Sequence, residues 1–513
     1  MLDWAHRPNQ RILMAQLKQI MSSFPRSFWA ANIIELVERW AYYGVRTGIA
    51  IYIVTAVALG GLGFDHHQKG NIFFWWAMFQ AILPIFIGGF TDYYGHRRSV
   101  AIAIGITIFG YINMGLQHSY IMFFLSCMCV GIGTALFKPG LQGILANSTT
   151  PQNASIGWSF FYMIVNIGGF IGPLIAGSLR LTNWQNVFFM SAAIHALNYI
   201  VLFSFKYQNP VQAQTPASLK EVAQNVGHLF WSSIKNLNRP GLMMFLLVFS
   251  GFWLMFMQLF DLLPNFITDW VDTSLIYQWL GGLFNYEPWI AKGVAQTQIP
   301  AEWFINLDAG TIIVLMMPIG IIARRYYAVS AMTFGIVVAT AGLILAGLTM
   351  NPAWCLLGIF VFAIGEMIAS PRKSEYLAMI APPEDKGLYM GYVNFPVGIG
   401  WVTGSKLAAY LYQNFGDKIS LAKKYLIANF AYTPEQANSI PKEQVVPTLQ
   451  ELLHHASPWE TTTLLFNTYH PYKVWWVLAT IGLTSMVGML VYNHHYGQRY
   501  RHLADLNESN DKK

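Results

Sequence analysis

Residues 28–57 read FWAANIIELVERWAYYGVRTGIAIYIVTAV, an apolar run that carries Glu35, Glu38, Arg39 and Arg46 near its middle. About 20 such residues suffice to cross the hydrocarbon core of a bilayer as a helix. Glu35, Glu38, Arg39, Tyr42 and Arg46 fall at i, i+3, i+4, i+7 and i+11, so the charges form one stripe at helical period. The opposite face is largely Ile33, Leu36, Ala41 and Ile51. A charge at a helix centre costs roughly 2.5–3.5 kcal/mol to insert unless it is paired or faces water. The run therefore predicts a helix that lines the inside of a bundle.

Similar apolar runs recur outward from this one, near 71–91, 99–117, 120–146, 155–180 and 186–206, then near 241–267, 303–324, 328–349, 353–376, 387–412 and 472–495. Of the 513 residues 55% are hydrophobic and 11% are charged, against about 25% charged in ordinary soluble domains. That composition excludes a conventional soluble enzyme. The expected fold class is an all-α polytopic membrane protein with twelve transmembrane helices. Residues 1–206 form an N-terminal six-helix half, 207–240 a polar cytoplasmic linker, and 241–513 a C-terminal six-helix half. Two insertions, 268–302 and 413–471, read as caps on the outer side.

Basic residues set the orientation. Placing both termini in the cytoplasm puts Arg97, Arg98, Lys206, Lys220, Lys235, Arg239, Arg324, Arg325, Arg372, Lys373 and Lys386 in inner segments. The outer segments then hold only Lys69, Arg180, Lys292, Lys418, Lys423, Lys424, Lys442 and Lys473, the asymmetry that membrane topology requires. The net charge of +7 thus reflects topology and predicts no nucleic-acid partner. The expected location is the plasma membrane, the inner membrane in a bacterium, with the lipid bilayer as the surrounding partner. Cys127, Cys129 and Cys355 lie in or beside apolar runs and suggest no disulfide framework. The first 27 residues show no compact apolar core with a cleavage site, so no cleaved signal peptide is expected. No Walker loop and no ligand-spaced His, Cys and carboxylate set occurs, so neither nucleotide energisation nor a metal is expected.

Nine ionisable residues lie within the expected spans: Glu35, Glu38, Arg39, Arg46, Lys138, Asp261, Asp308, Glu366 and Lys406. Carboxylates beside an arginine at low dielectric switch between paired and protonated states, which is what coupling proton entry to a conformational change requires. Helix counting puts Asp261, Asp308 and Lys406 toward the outer ends of the seventh, eighth and eleventh helices, where Lys406 is expected to pair with one of the acids as an outer gate. Tyr42, Tyr43, Tyr162, Trp253 and Phe256 supply aromatic surface for varied side chains.

These residues carry a family resemblance. ELVERWAYYGVR (35–46) is similar to the ExxER signature on the first helix of the proton-dependent oligopeptide transporter family of the major facilitator superfamily. GGFTDYYGHRR (88–98), with Gly88, Asp92, Gly95, Arg97 and Arg98, resembles the superfamily's cytoplasmic loop motif. GIGTALFKPG with Lys138, FYMIVNIGG with Asn166, and GEMIASP with Glu366 resemble the family's patterns on helices four, five and ten. The resemblance implies the six-plus-six major facilitator fold. It also implies roles: proton coupling at Glu35, Glu38 and Arg39, peptide carboxylate at Arg46 and Lys138, peptide amine at Glu366, and substrate contact at Tyr42, Tyr43, Asn166 and Trp253. The chain departs from the pattern at Met257, where an acid is common in helix seven, at Asp308 and Ala309, where asparagine and proline are usual in helix eight, and after GExxxSP, where Arg372 and Lys373 bring unusual charge.

The expected function is a proton-coupled symporter that imports di- and tripeptides or peptide-like solutes by alternating access. The proton serves as coupling ion, and no cofactor and no obligate protein partner are expected. The two alternatives are a facilitator of amino acids, amines or other organic ions, and a membrane sensor without transport. An enzyme is not expected, because no nucleophile and base converge.

Overall fold

The computed structural model describes residues 21–84, 91, 95–150, 153–207, 224, 231, 239–276, 299–323, 325–381, 389 and 392–497. The described residues form helices and no strand. Twelve long elements correspond to the expected spans: α1 (Arg26–Val54), α2 (His66–Ala77), α3 (His96–Leu116), α4 (Tyr120–Ala146), α5 (Ala154–Leu179), α6 (Trp184–Ser204), α7 (Pro240–Asp261), α8 (Ala301–Ala323), α9 (Ala328–Gly347), α10 (Pro352–Ile380), α11 (Phe395–Phe415) and α12 (Lys473–Tyr492).

Polar caps set several starts. Asp65 and Gln68 form a capping box, so α2 begins at His66 rather than at the expected 71, and Lys69 lies inside the helix. Ser119, Asn183 and Asn351 cap α4, α6 and α10. At its far end α10 continues to Ile380, past the expected 376, and carries Arg372 and Lys373 within it.

The packing repeats itself with a shift of six helices. The α1–α5, α3–α4, α3–α6 and α1–α6 contacts have counterparts in α7–α11, α9–α10, α9–α12 and α7–α12. Across the middle, α2 packs on α11 and α5 on α8, so the seam between the halves obeys the same exchange. Among the described residues, nine helices are long and apolar enough to cross a membrane on their own, and α1, α2 and α11 are not among them. All three pack on helices of the other half, where burial by protein replaces burial by lipid. Large apolar side chains such as Ile102, Phe109, Val314, Met317, Phe334 and Trp354 stay exposed around the bundle, as lipid contact demands. On α1, Ala41 and Ile51 are buried against protein and only Ile33 of that face is exposed.

Beyond α7 the short helix Leu263–Trp270 turns over the distal end of the bundle, the end at which α1 and α7 finish. The insertion between α11 and α12 folds there into four helices, Lys418–Asn429, Pro434–Ser439, Lys442–Leu452 and Pro458–Tyr469. Leu421, Leu426, Val445, Leu449 and Leu465 give this cap a buried core. Residues 277–298 of the other insertion, and most of the 207–240 linker, lie outside the described residues.

Candidate functional site

The α1 stripe divides into two charge clusters. In the first, Arg39 Nη2 donates to Glu38 Oε1 at 2.6 Å, and its Nε lies 3.4 Å from Glu35 Oε1. Lys138 of α4 donates to the same Glu35 oxygen. Glu35, Glu38 and Arg39 are buried, whereas the Lys138 side chain keeps a quarter of its surface exposed. The guanidinium also stands over Tyr42 at 4.7 Å, and Tyr42 is fixed by Gln80 of α2. This tight packing needs Gly168: a Cβ there would lie 2.6 Å from the Leu36 carbonyl and 2.7 Å from Arg39 Cβ.

The second cluster joins the halves. Arg46 pairs with Asp261 at the end of α7, inside a cage of Phe73, Phe260 and Trp401 rings at 4.9, 5.6 and 5.0 Å. Ser405 of α11 donates to the other Asp261 oxygen at 3.0 Å. Lys69 Nζ donates to the Asp261 carbonyl at 3.0 Å and to Asn265 Oδ1 at 2.7 Å, and Asn265 donates to the Ala50 carbonyl. Farther round the seam, Arg180 Nε lies 2.6 Å from Glu302 Oε1 and Asn306 donates to the Phe170 carbonyl. All of these close the distal end.

This arrangement adds a partner to one expected site residue and corrects the expected pairing of Lys406. Arg46, assigned to a substrate carboxylate, is engaged by Asp261 in this closed conformation. Lys406 meets neither acid: it is exposed, donates to Asn71 and lies over Phe74 at 5.1 Å. Its position on the outer surface of α11 explains this, because a long side chain reaches the nearest polar group along the helix flank. Asp308 turns instead toward Glu366, and the two carboxyl groups line the same cavity.

That carboxyl pair lines a cavity of about 60 Å³ between the halves. Tyr43, Thr47 and Asn166 face it from the N-terminal half, and Phe256, Phe260, Asn306, Asp308 and Glu366 from the C-terminal half. One oxygen of each, Asp308 Oδ1 and Glu366 Oε2, has no hydrogen-bond partner among the described residues. Tyr162 is largely exposed, and Trp253 packs on Phe256 at 4.7 Å. Of the loop motif, Gly88 and Asp92 lie outside the described residues. Gly95 has a φ of 88°, Arg97 stacks on Phe203 and Phe205 of α6 and its neighbouring loop, and Arg98 is exposed.

The cap crosses the seam as well. His66 Nε2 sits 3.4 Å from Asp417, its backbone N–H donates to Gln413, and Lys442 donates to the Phe64 carbonyl at 2.9 Å. On the C-terminal side, Trp270 donates to the Gly416 carbonyl and Tyr412 to Asp269. Burial alone would raise Asp417, but neighbouring His66 and the Ser420 donors bring it down to about 2. Burial, then the facing Asp417, push Asp269 up to about 7. His66, Lys69 and Glu302 fall outside the expected runs, which begin at 71 and 303, whereas the helices begin at His66 and Ala301; the Asp65-x-x-Gln68 box is the readable signal for the first two.

The family model of the Major Facilitator Superfamily matches residues 40–371. The uncharacterized transporter YclF of Bacillus subtilis (strain 168) is 28% identical over 199 residues, 38% of this chain and 40% of that protein. The peptide transporter YePEPT of Yersinia enterocolitica is 24% identical over 430 residues, 70% of this chain and 82% of that protein. A crystal structure of a peptide transporter POT in complex with alafosfalin superposes with a TM-score of 0.67 at 19% identity, covering 95% of this chain and 99% of that one. This last likeness is one of fold.

Proposed function

The chain belongs to the Major Facilitator Superfamily, and from that premise we propose that it is a proton-coupled symporter of di- and tripeptides or peptide-like solutes. The observation that carries the reading is the cavity between the halves, with the Asp308–Glu366 pair on one wall and Tyr43 and Asn166 on the other. A zwitterionic solute presents an ammonium to Glu366 and a carboxylate toward Lys138, whose side chain is partly exposed. Its arrival draws the halves together, the closing step that alternating access needs. The names of YePEPT and the POT structure agree with this cargo.

Proton coupling resides in two places. The first is the Glu35–Glu38–Arg39 group, where Lys138 and Arg39 compete for Glu35. The second is the Asp308–Glu366 pair, two carboxyl groups on one cavity wall: a proton taken up there passes to Asp308 when a substrate ammonium engages Glu366. Asp308 thereby supplies the acid that Met257 does not. With both termini cytoplasmic, the distal end faces outward and the structure is the inward-facing state, with Arg46–Asp261 as the closed outer gate. When that gate opens, Arg46 becomes available to the incoming carboxylate.

The test is dipeptide and tripeptide counterflow in proteoliposomes at two pH values, with Glu366→Gln as control. Acid-stimulated flux that the substitution removes is the expected result. Absence of peptide flux in folded protein, with amino acids or amines carried instead, would move the cargo to the other organic ions.

A further inference from the structure

On α10, Glu366, Ser370 and Lys373 fall at i, i+4 and i+7 and share one face. Glu366 lines the cavity. Lys373 lies two turns, about 10 Å, farther along the helix toward the end that carries the termini. Its side chain is 3% exposed, and its ammonium stands 4.6 Å from the Trp253 ring. On α7, Trp253, Phe256 and Phe260 are likewise at i, i+3 and i+7, and the last two line the cavity. The lysine and the indole therefore lie on the helix faces that line the cavity, next beyond its lining residues.

The other buried cations are all satisfied. Arg39 holds Glu35 and Glu38, Arg46 holds Asp261, Lys69 bonds a carbonyl and Asn265, and Arg372 bonds Glu375 and the Tyr326 carbonyl. Lys373 alone has neither a carboxylate nor a hydrogen-bond acceptor among the described residues. Ser370 Oγ and Trp253 Nε1, on the same two helix faces, are also buried without partners. A buried ammonium without a counter-ion costs more than a single ring face returns, so the fold gains nothing by keeping it. An ammonium, a hydroxyl and an indole N–H left without acceptors on α10 and α7 are suited to an oxyanion on a short aliphatic stem.

We propose that Lys373, Ser370 and Trp253 form an anion subsite on the C-terminal half that takes the acidic side chain of a transported peptide. Glu366 engages the amine, and Lys373 engages a glutamyl or aspartyl carboxylate two turns along the same helix, with the side-chain methylenes against Trp253. The inference rests on the peptide reading above and adds to it a preference for acidic cargo.

The experiment compares Ala-Glu with Ala-Gln as competitors of labelled Ala-Ala counterflow, in wild type, Lys373→Met and Lys373→Arg. Wild type is expected to favour Ala-Glu. Lys373→Met should weaken Ala-Glu by about tenfold, the scale of one charge-assisted hydrogen bond, leaving Ala-Gln little changed, and Lys373→Arg should retain most of the preference. An unchanged Ala-Glu affinity, or a parallel loss for both peptides, overturns the subsite. Should wild type carry no peptide at all, the peptide reading fails by itself, and the subsite is then decided by thermal melting with glutarate. Stabilisation by glutarate that Lys373→Met abolishes upholds the subsite; equal melting of the two proteins with and without glutarate refutes it.

Discussion

Two charge clusters share α1 only two turns apart, yet they join different things. The Glu35–Glu38–Arg39–Lys138 cluster lies wholly within the N-terminal half. The Arg46–Asp261 cluster, with Lys69 and Ser405, crosses from one half to the other. When the halves rock as bodies, the first keeps its geometry and the second must come apart. One helix thus carries a group suited to holding a proton through the cycle and another suited to reporting which way the cavity opens. The difference lies in the partner helices, α4 against α7 and α11.

Breaking the inner cluster should have the largest effect. With Glu35→Gln, Lys138 and Arg39 lose the carboxylate charge they share and the group can no longer take up a proton, so peptide accumulation driven by a pH gradient should fall to the background of empty liposomes while counterflow persists. Loss of both processes would mean that the cluster holds the fold rather than the coupling. Next in size is the seam. Arg46→Met leaves Asp261 buried without its counter-ion, a penalty of about 3–5 kcal/mol falling on the closed state alone. Spin labels at Leu59→Cys and Leu275→Cys, both exposed at the distal end, should then report a longer distance, and the reversal Arg46→Asp with Asp261→Arg should shorten it again. Labels that stay put would make the seam a bystander, and labels that move in Glu35→Gln would erase the distinction between the clusters.

The smallest effect is on the cap. Asp417, held at about 2, contributes stability above about pH 4 and loses it as pH falls toward 2. Asp269 runs the other way: raised from 3.8 to about 7, it stabilises fully below about pH 4 and loses that contribution as pH rises through 7. Melting temperature should therefore drop between pH 4 and 7, and Asp269→Asn should flatten that slope by roughly 1–2 °C. An identical slope in the variant would remove Asp269 as its source.

Much of this was legible in the residues. The period of Glu35, Glu38, Arg39 and Arg46 foretold an inward stripe, and Glu366 and Asn166 do face one cavity. What periodicity does not give is the partner across the seam. Asp261 and Asp308 sit on neighbouring helices with similar surroundings in sequence, yet one faces Arg46 and the other Glu366. Helix ends are the second weak point: Lys69 stands just before the apolar run that starts at 71, where a single charge looks like a boundary. The helix starts at His66 instead, which turns a topology marker into a buried partner of the Asp261 carbonyl and Asn265.

The charges of α1 also bear on how the protein is made. This helix is missing from those apolar enough to cross a membrane by themselves, and its acids gain a cation from another helix only when Lys138 of α4 arrives. Its close-packed neighbour α5, with Gly168, is synthesised later still. During biogenesis the first helix must therefore wait at the insertion machinery for its successors, each unpaired charge weighing against release into lipid by roughly 2.5–3.5 kcal/mol. A nascent chain ending before Tyr120 should leave α1 extractable by alkali, and one extended past Leu179 should retain it; the order of translation becomes part of the folding code.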